Sequence, residues 1–445
     1  MAMQPDWALA AALLGGTRAM RAAGKTYLPQ WPNEEPISYK TRLETSVLFP
    51  AFSRTVSTLT GKPFSKPITV GADVPPTIAE WMEDIDLEGR NLDTFAADVM
   101  ECALATGLCG ILVDYPVKPA DVKTQADEKR VNLRPYFVHI KPDQLIGWAA
   151  ARINGAWVIQ QLRLMECVEV PDGEFGLAEV KQVRVLEPGK WATYRQKKDS
   201  ADQWAIFEEG VTTLDFVPFV PVYGERKGFM KGRSPLIEVG FMNVEHWQSA
   251  SDQRTILHVA RVPVLTVIGI DDDNFTLTLG ASAAVKLPIN GDMKYVEHSG
   301  AAISAGQLDL DKLEERLRQA GAELLIIKPG SVTATQVTTE NAVGMCALQR
   351  ISSGLEDALD LGLQYMADWA GLGEGGHVTI FGDYVSASLS DASAQLIVAA
   401  QAGGLISKDT AISELKRRGT LASEVEPEDE ASKIEAQGPE LGVMA

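Results

Sequence analysis

The chain has 445 residues, 45% of them hydrophobic, which is enough material for two or three cores and is neither a disordered nor a fibrous composition. Its 60 acidic residues outnumber 41 Lys and Arg and give a formal net charge of −19. The excess of acidic residues argues against a protein that binds nucleic acid tightly through clustered basic side chains, and it opposes adsorption to anionic membranes.

The N-terminal part predicts helices joined by proline-rich links. Residues 6–23 form one predicted helix, and residues 38–60 form a helical stretch in which Pro50 suits the start of a second helix. The apolar run inside the first helix is too short for a membrane span and no basic residue precedes it, so neither a membrane segment nor a secretory signal is expected. A further helix from about Asp93 to Thr106 precedes a buried strand, CGILVDYP.

Residues 135–223 are predicted to be mostly β-strand. Asn154-Gly155 lies between two strand-like runs, a strong signal for a hairpin, and Pro188-Gly189 predicts a second one. The prolines of DFVPFVPVYGE favour an edge strand or an extended link, because proline cannot donate to a sheet ladder.

The second half predicts three long helices. The first runs from Ser234-Pro235 to Ala260, the second begins near Asp311, and the third extends from about Glu340 to Trp369. Short strands and turns with a hairpin signal at Asn290-Gly291 separate the first two helices.

Helix-breaking and helix-capping residues separate the elements in the rest of this half. Pro329-Gly330 and the following Thr/Val run interrupt the helical pattern before the third helix, and GLGEGG ends that helix. A strand, HVTIFGDY, follows it. The segment AAQAGGLISKDTAISELKRRG then predicts two short helices, with Gly403 and Gly404 ending one and Ser407 capping the next. The chain finishes in an acidic tail.

Motifs that would indicate an enzyme are weak. Gly24-Lys25-Thr26 resembles the end of a phosphate-binding loop, but Ala19 occupies the position of the first required glycine and no strand precedes it, so a turn is favoured. Ser251 and His258 lie about two turns apart on one predicted helix, too far for proton transfer. The acidic run at 270–274 lacks the spacing of a calcium loop and fits a solvated turn or a segment that repels a polyanion.

Cysteine and histidine spacing gives no metal site. The four cysteines (Cys102, Cys109, Cys167 and Cys346) include no pair at zinc-type spacing, and a reduced intracellular set is expected. Cys102 and Cys346 are predicted to pack on apolar helix faces. The five histidines are dispersed and could meet only through long-range folding. The sequence therefore predicts no catalytic residue, no cofactor and no metal.

Several segments together do resemble one family. LGGTRAMRAAGKTYLPQ, RLETSVLFPAFSRTVSTLTGKPFSK, NLDTFAADVMECALATGLCGILVDYP and EHWQSASDQRTILHVARVPVL resemble, in that order, the portal proteins (head-to-tail connectors) of tailed bacteriophages. The C-terminal AAQAGGLISKDTAISELKRRG is similar to the segment that follows the wing in many portals. The resemblance covers most of residues 8–420.

The resemblance implies an α+β portal-type fold with a mixed wing, long stem helices, a small β-rich clip and a short helical crown. The implied regions are the wing (1–233), first stem helix (234–262), clip (263–306), second stem helix (307–325), tunnel loop (326–340), long wing helix and strand (341–387), crown (388–420) and acidic tail (421–445).

A portal implies a structural role without catalysis. It would form a dodecameric ring at one capsid vertex, conduct double-stranded DNA during packaging and ejection, and dock the terminase large subunit and later the head–tail adaptor. Major capsid and scaffolding proteins are further implied partners, the protein would be located in the virion after assembly in the host cytoplasm, and no membrane is involved. The alternatives are a packaging-associated ATPase, or another virion structural protein such as an adaptor or capsid component.

The resemblance also carries residue roles. The implied DNA-channel tunnel loop contains Lys328, Ser331, Thr333, Thr335 and Thr338. Lys328 either touches the DNA backbone transiently or pairs with an acidic residue of a neighbouring subunit, and the two interpretations stand equally. Four stem positions are expected to pack between subunits: Trp247, Leu257, Leu313 and Leu317.

Overall fold

The computed structural model describes residues 2–116, 121–124, 127, 130–197, 200–261, 264–268, 291–296, 300–325, 345–382, 391–417, 421 and 432. These residues form a mixed α and β fold, as the sequence predicts. The chain divides into two compact units. Unit 1 comprises Met1–Val56 and Leu236–Glu323, and unit 2 comprises Ser57–Pro235 and Leu324–Ala445. Among the described helices, none combines the length and apolar character needed to cross a bilayer.

The N-terminal region contains four helices: α1 (Gln4–Leu14), α2 (Gly16–Ala23), α3 (Pro36–Thr45) and α4 (Ala51–Thr60). The single predicted helix over 6–23 is wrong, because Gly16 takes a φ of +68° and divides it in two. The role of Pro50 is confirmed: α4 begins directly after it, and the Arg54 N–H donates to its carbonyl at 3.1 Å.

The next elements are β1 (Thr69–Val70), α5 (Pro76–Trp81), α6 (Leu92–Thr106) and β2 (Leu108–Asp114). The predicted helix and buried strand are confirmed. Asn91 caps α6 by accepting from the Thr94 N–H at 3.0 Å. Gly107 ends the helix at a φ of +82°, where a Cβ would lie 2.1 Å from the Arg233 backbone. This glycine lets the chain turn directly from α6 into β2.

The Asn91 cap gives a testable stability effect. We expect Asn91→Ala to lower the free energy of unfolding by about 1 kcal/mol, because a first-turn N–H loses its acceptor. Urea denaturation followed by far-UV circular dichroism measures the change. Thr94→Ala is the matched control, since the capping donor is the backbone N–H at that position and survives the substitution. Equal effects of the two variants would refute the capping role.

Two antiparallel sheets dominate unit 2. They are built from β3 (Tyr136–Ile140), β4 (Leu145–Ile153), β5 (Ala156–Asp172), β6 (Gly176–Glu187), β7 (Lys190–Lys197), β8 (Ser200–Val211) and β9 (Phe219–Tyr223), with a separate ribbon of β10 (Glu225–Gly228) and β11 (Lys231–Arg233). The three-stranded sheet has the order β3-β2-β9, and the five-stranded sheet is a meander from β4 to β8.

Sequence signals for turns in these sheets are confirmed. Ile153 pairs with Ala156 around Asn154-Gly155, and Glu187 pairs with Lys190 around Pro188-Gly189. β9 is an edge strand, as its prolines predict. The core of this region combines apolar side chains from both sheets and the segments around them: Leu112, Ile140, Leu145, Ile159, Leu162, Leu164, Leu186, Val217, Phe219 and Met230.

The second half contains α7 (Ile237–Ala260), β12 (Val264–Ile268), β13 (Asp292–Val296), α8 (Ala301–Ala322), α9 (Ala347–Ala370), β14 (Val378–Thr379), α10 (Asp391–Ala402) and α11 (Lys408–Arg417). The predicted order of elements is confirmed over the described residues. The first six residues of α8 fall within the range assigned to the clip.

Two helix starts differ from the prediction. α8 begins at Ala301 rather than near Asp311. Residues 303–309 are exposed or half-buried and show little of the apolar periodicity that marks a buried face, so the sequence pattern does not reveal this start. α9 begins at Ala347, after an N-cap at Cys346. The Cys346 Sγ accepts from the Gln349 N–H, and the Gln349 side chain accepts from the Cys346 N–H. Cys346 is therefore a buried cap and does not pack on a helix face.

The C-terminal helices match their predicted caps. Gly371 ends α9 with a φ of +67°, and Gly404 follows α10 with a φ of +70°. Ser407 caps α11, because its Oγ accepts from the Thr410 N–H at 3.1 Å. Of the predicted acidic tail, all but residues 421 and 432 lies outside the described residues.

Candidate functional site: the α7–α8 helix pair

The two long helices of unit 1 lie side by side in opposite directions. α7 has 24 residues and α8 has 22, so they are about 36 and 33 Å long. Gln253 of α7 contacts Ile303 of α8, whereas the earlier His246 contacts the later Glu314. Since contacts run in opposite order along the two chains, the helices are antiparallel, with the β12–β13 strands following α7 and preceding α8.

Both helices of the pair carry buried apolar side chains, which we name the α7–α8 seam. Leu310, Leu313 and Leu317 recur at helical spacing on one face of α8 and are at most 9% exposed. Trp247 of α7 is fully buried. Three of the four predicted subunit-packing positions, Trp247, Leu313 and Leu317, are thus covered within a single chain, where they stabilise unit 1. The fourth, Leu257, is only half-buried.

Polar contacts fix the register of the two helices. His246 Nε2 lies 3.5 Å from a Glu314 carboxylate oxygen, and the Gln253 amide donates to the Ile303 carbonyl at 2.8 Å. Burial lowers the pKa of His246, and Glu314 partly offsets this effect. Because sliding one helix along the other would break both contacts, they favour one alignment of the pair.

Side chains of α7 also hold the N-terminal helices of unit 1. The Asn243 amide donates to the Phe49 carbonyl and accepts from the Phe52 N–H, both at 2.9 Å. It thereby satisfies a first-turn donor of α4 from a distant part of the chain. The Ser251 hydroxyl lies 2.9 Å from that of Ser46.

A buried arginine secures the link before α3. Arg42 donates to both Glu34 carboxylate oxygens at 2.8 Å and to the Pro29 carbonyl at 2.7 Å, and its guanidinium lies 4.1 Å from the Trp31 ring centroid. The Arg42 and Glu34 side chains are 4% and 5% exposed. The Arg42 hydrogen bond lowers the pKa of Glu34. This cluster therefore holds a charged pair that is almost closed to solvent.

One groove of the helix pair is lined by both apolar and polar side chains and is open to solvent. Leu257 and Leu308 line a groove at the end of α7 and the start of α8, together with Gln253, Ile303, Ser304, Gln307 and Asp311. We name it the strand-proximal groove. Leu308 is 55% exposed. A leucine exposed to this extent in a groove offers an apolar contact to another chain.

The strands between the helices form a two-stranded antiparallel ribbon. Pairing extends from Val264 opposite Val296 to Ile268 opposite Asp292. The predicted turn at Asn290-Gly291 has its first residue outside the described part of the chain. The tunnel-loop residues Lys328, Ser331, Thr333, Thr335 and Thr338 also lie outside it.

Unit 2 contains a cluster of polar side chains that the sequence does not predict. The Arg184 guanidinium donates to both Asp114 carboxylate oxygens at 2.7 and 2.8 Å and lies 3.6 Å from Glu166, and the Tyr136 hydroxyl donates to Asp114 at 3.2 Å. Burial raises the pKa of Tyr136. These residues join β2, β3, β5 and β6. Since no motif links positions so far apart in the sequence, only the fold could reveal the cluster, and its charges pair among themselves.

One family model matches the part of the chain that contains the α7–α8 pair. Residues 235–370 match the model of a family described as a domain of unknown function (DUF4055). The matched stretch begins just before α7 and ends with α9. No curated protein matches the chain.

Solved structures with a similar chain come from gene transfer agent (GTA) particles. A chain in the neck of an empty GTA particle, computed with C6 symmetry, is 12% identical with a TM-score of 0.43, over 83% of this chain and 90% of that one. A chain in the virion of a native GTA particle is 12% identical with a TM-score of 0.43, over 89% and 97%. A chain in the neck of a native GTA particle, computed with C12 symmetry, is 12% identical with a TM-score of 0.42, over 89% and 98%.

Proposed function

We propose that this chain is a portal protein, which forms a ring at one capsid vertex and conducts double-stranded DNA during packaging and ejection. The observation that carries the proposal is the antiparallel pair α7–α8 with paired strands between its helices, followed by the long helix α9. The order of these elements is the order that the sequence resemblance assigns to first stem helix, clip, second stem helix and wing helix.

In the proposed ring, neighbouring copies contact each other through the exposed groove of this pair. The strand-proximal groove of one copy would receive a different surface of the next copy, which makes a head-to-tail contact. Such contacts close into a ring when the rotation per subunit fits, here a dodecamer. Leu257 and Leu308 are the side chains that we assign to this contact.

The charge of the chain suits passage of DNA. Every phosphate neutralised by Lys or Arg adds affinity, and strong affinity would slow a sliding duplex. A net charge of −19 opposes such binding. We assign residues 326–340 to the channel rim, with Lys328 as a transient contact to the DNA backbone or as an ion-pair partner of a neighbouring subunit.

The strand region between α7 and α8 is the proposed docking surface for the terminase large subunit and then for the head–tail adaptor. In this account the protein resides in the virion, assembles in the host cytoplasm with capsid and scaffolding proteins, and catalyses no reaction. The ATPase alternative has little support, because residues Gly24–Thr26 form a 3-10 turn directly after α2 rather than a loop between a strand and a helix.

The groove can be tested by one substitution. We expect Leu308→Asp to fold normally but to reduce the fraction of chains in rings at least tenfold, because a carboxylate would be desolvated in the contact. Native mass spectrometry and negative-stain microscopy measure that fraction, and circular dichroism reports the fold. Leu177→Asp, at a 67% exposed position of β6, is the matched control. Rings formed equally well by both variants would refute this role of the groove.

A further inference from the structure

Two cysteines and a histidine converge in unit 2. Cys102 of α6, Cys109 of β2 and His139 of β3 bring their ligand atoms within 4.8 Å of one another. Gly107 turns the chain between the two cysteines. Because β2 and β3 pair Ile111 with His139, and Cys109 lies two residues from Ile111 on the same face, the sheet places Cys109 and His139 together.

Sequence spacing could not reveal this cluster. Cys109 follows Cys102 by seven positions and His139 follows thirty later, which matches no short metal-binding motif. Cys102, predicted to pack on an apolar helix face, lies beside the other two side chains. The turn between α6 and β2 brings the two cysteines together, and the long-range register of β2 with β3 adds His139.

One ring nitrogen of the histidine in the cluster lacks a hydrogen-bond partner. His139 Nε2 is buried and makes no hydrogen bond. A buried polar atom without a partner is costly, and such atoms in folded proteins call for an explanation such as a bound ion. The other contacts are weak: Cys109 Sγ lies 3.5 Å from the Val99 carbonyl, and Cys102 Sγ lies 3.8 Å from the Thr106 hydroxyl.

The sulfur atoms are suited to metal binding. Thiolate sulfur is the form of cysteine that binds a metal, and a bound metal would itself displace the protons of both thiols.

We propose that Cys102, Cys109 and His139 bind one zinc ion. Zinc takes thiolate sulfur at about 2.3 Å and imidazole nitrogen at about 2.0–2.1 Å in a tetrahedral arrangement, which places neighbouring ligand atoms roughly 3.5–3.8 Å apart. Ligand atoms within 4.8 Å of one another reach that geometry through side-chain shifts of about 1 Å or less. Two thiolates would neutralise the ion, as a buried site requires, and the three side chains leave the fourth tetrahedral position to another ligand.

The ion would link α6 to strands β2 and β3 of the neighbouring sheet. It connects a helix with two neighbouring strands, so it stabilises unit 2 in the folded state only, and occupancy raises the melting temperature. This inference is independent of ring assembly, because it concerns the interior of one chain.

Metal titration of the full-length chain tests the proposal. The protein is purified with reductant, stripped with a chelator and titrated with Zn²⁺ against a chromophoric competitor, and with Co²⁺ while visible absorption is recorded. We expect about one equivalent to bind, a cobalt spectrum typical of tetrahedral thiolate coordination, and a higher melting temperature with Zn²⁺. Cys109→Ser and His139→Gln should each weaken binding at least tenfold, whereas Cys167→Ser, at an exposed cysteine, should bind as the wild type does.

Three results would overturn the zinc site. The reduced wild-type chain could fail to bind stoichiometric Zn²⁺, which decides the matter even if the variants do not fold. Folded Cys109→Ser and His139→Gln proteins could bind as tightly as wild type. Mass spectrometry could also find a Cys102–Cys109 disulfide and no bound metal in protein purified without reductant, which would show that the two thiols serve a redox bond.

Discussion

We expect Leu313→Asp to abolish the cooperative folding of unit 1. Leu313 is 3% exposed in the α7–α8 seam. Removing a buried leucine side chain costs about 2–5 kcal/mol, and burying a carboxylate without a partner adds several more. The sum approaches the roughly 5–15 kcal/mol that stabilises a whole domain. The variant should therefore be insoluble, or should show no cooperative thermal transition of this unit by circular dichroism and calorimetry.

Leu308→Asp provides the control on the same helix. Leu308 lies five residues earlier on α8 but is 55% exposed, so the identical substitution should change the free energy of unfolding by less than about 1 kcal/mol. The two variants separate folding from assembly, since Leu308→Asp is expected to lose rings and keep its fold. A Leu313→Asp protein that melts like the wild type would contradict the buried seam.

The second large effect is expected at Glu34. Glu34→Gln should lower the free energy of unfolding by about 3 kcal/mol, because it leaves the buried Arg42 guanidinium with the half-exposed Asp252, 3.8 Å away, as its remaining acidic partner. Urea denaturation monitored by tryptophan fluorescence measures the loss, since Trp31 stacks on the same guanidinium. Added salt should change the effect little, because a nearly closed pair is poorly screened.

Glu44→Gln is the comparison for this pair. Glu44 of α3 lies 3.8 Å from Lys40, and both side chains are more than 60% exposed. Exposed pairs contribute about 0–1 kcal/mol, so this variant should unfold nearly as the wild type does. Similar losses from Glu34→Gln and Glu44→Gln would show that burial of the Arg42 cluster does not govern its contribution.

Local signals predicted the elements that depend on local chemistry. The cap at Ser407 and the turns at Asn154-Gly155 and Pro188-Gly189 form as expected, because each is determined by a few neighbouring residues. The start of α8 is not predicted because residues 303–309 are exposed or half-buried and need no apolar stripe. The split at Gly16 was missed because a glycine inside a helical pattern is compatible with either outcome.

Contacts between residues far apart in the sequence could not be predicted from local sequence patterns. The stripe containing Leu313 and Leu317 was recognised as a packing face, but periodicity cannot tell whether a helix of the same chain or a neighbouring subunit covers it. The bidentate pair of Arg184 with Asp114 and the cluster around His139 join residues far apart in the sequence. Both depend on strand register, which no motif in the chain encodes.

The most direct test of the portal proposal is the native mass and shape of the purified full-length protein across a range of concentrations. Native mass spectrometry with single-particle electron microscopy should find a closed ring of twelve chains with a central channel wide enough for a DNA duplex. The α7–α8 pairs should lie around that channel, with the strand-proximal grooves covered by neighbouring copies. A stable compact dimer without a channel, unchanged at every concentration, would contradict the account.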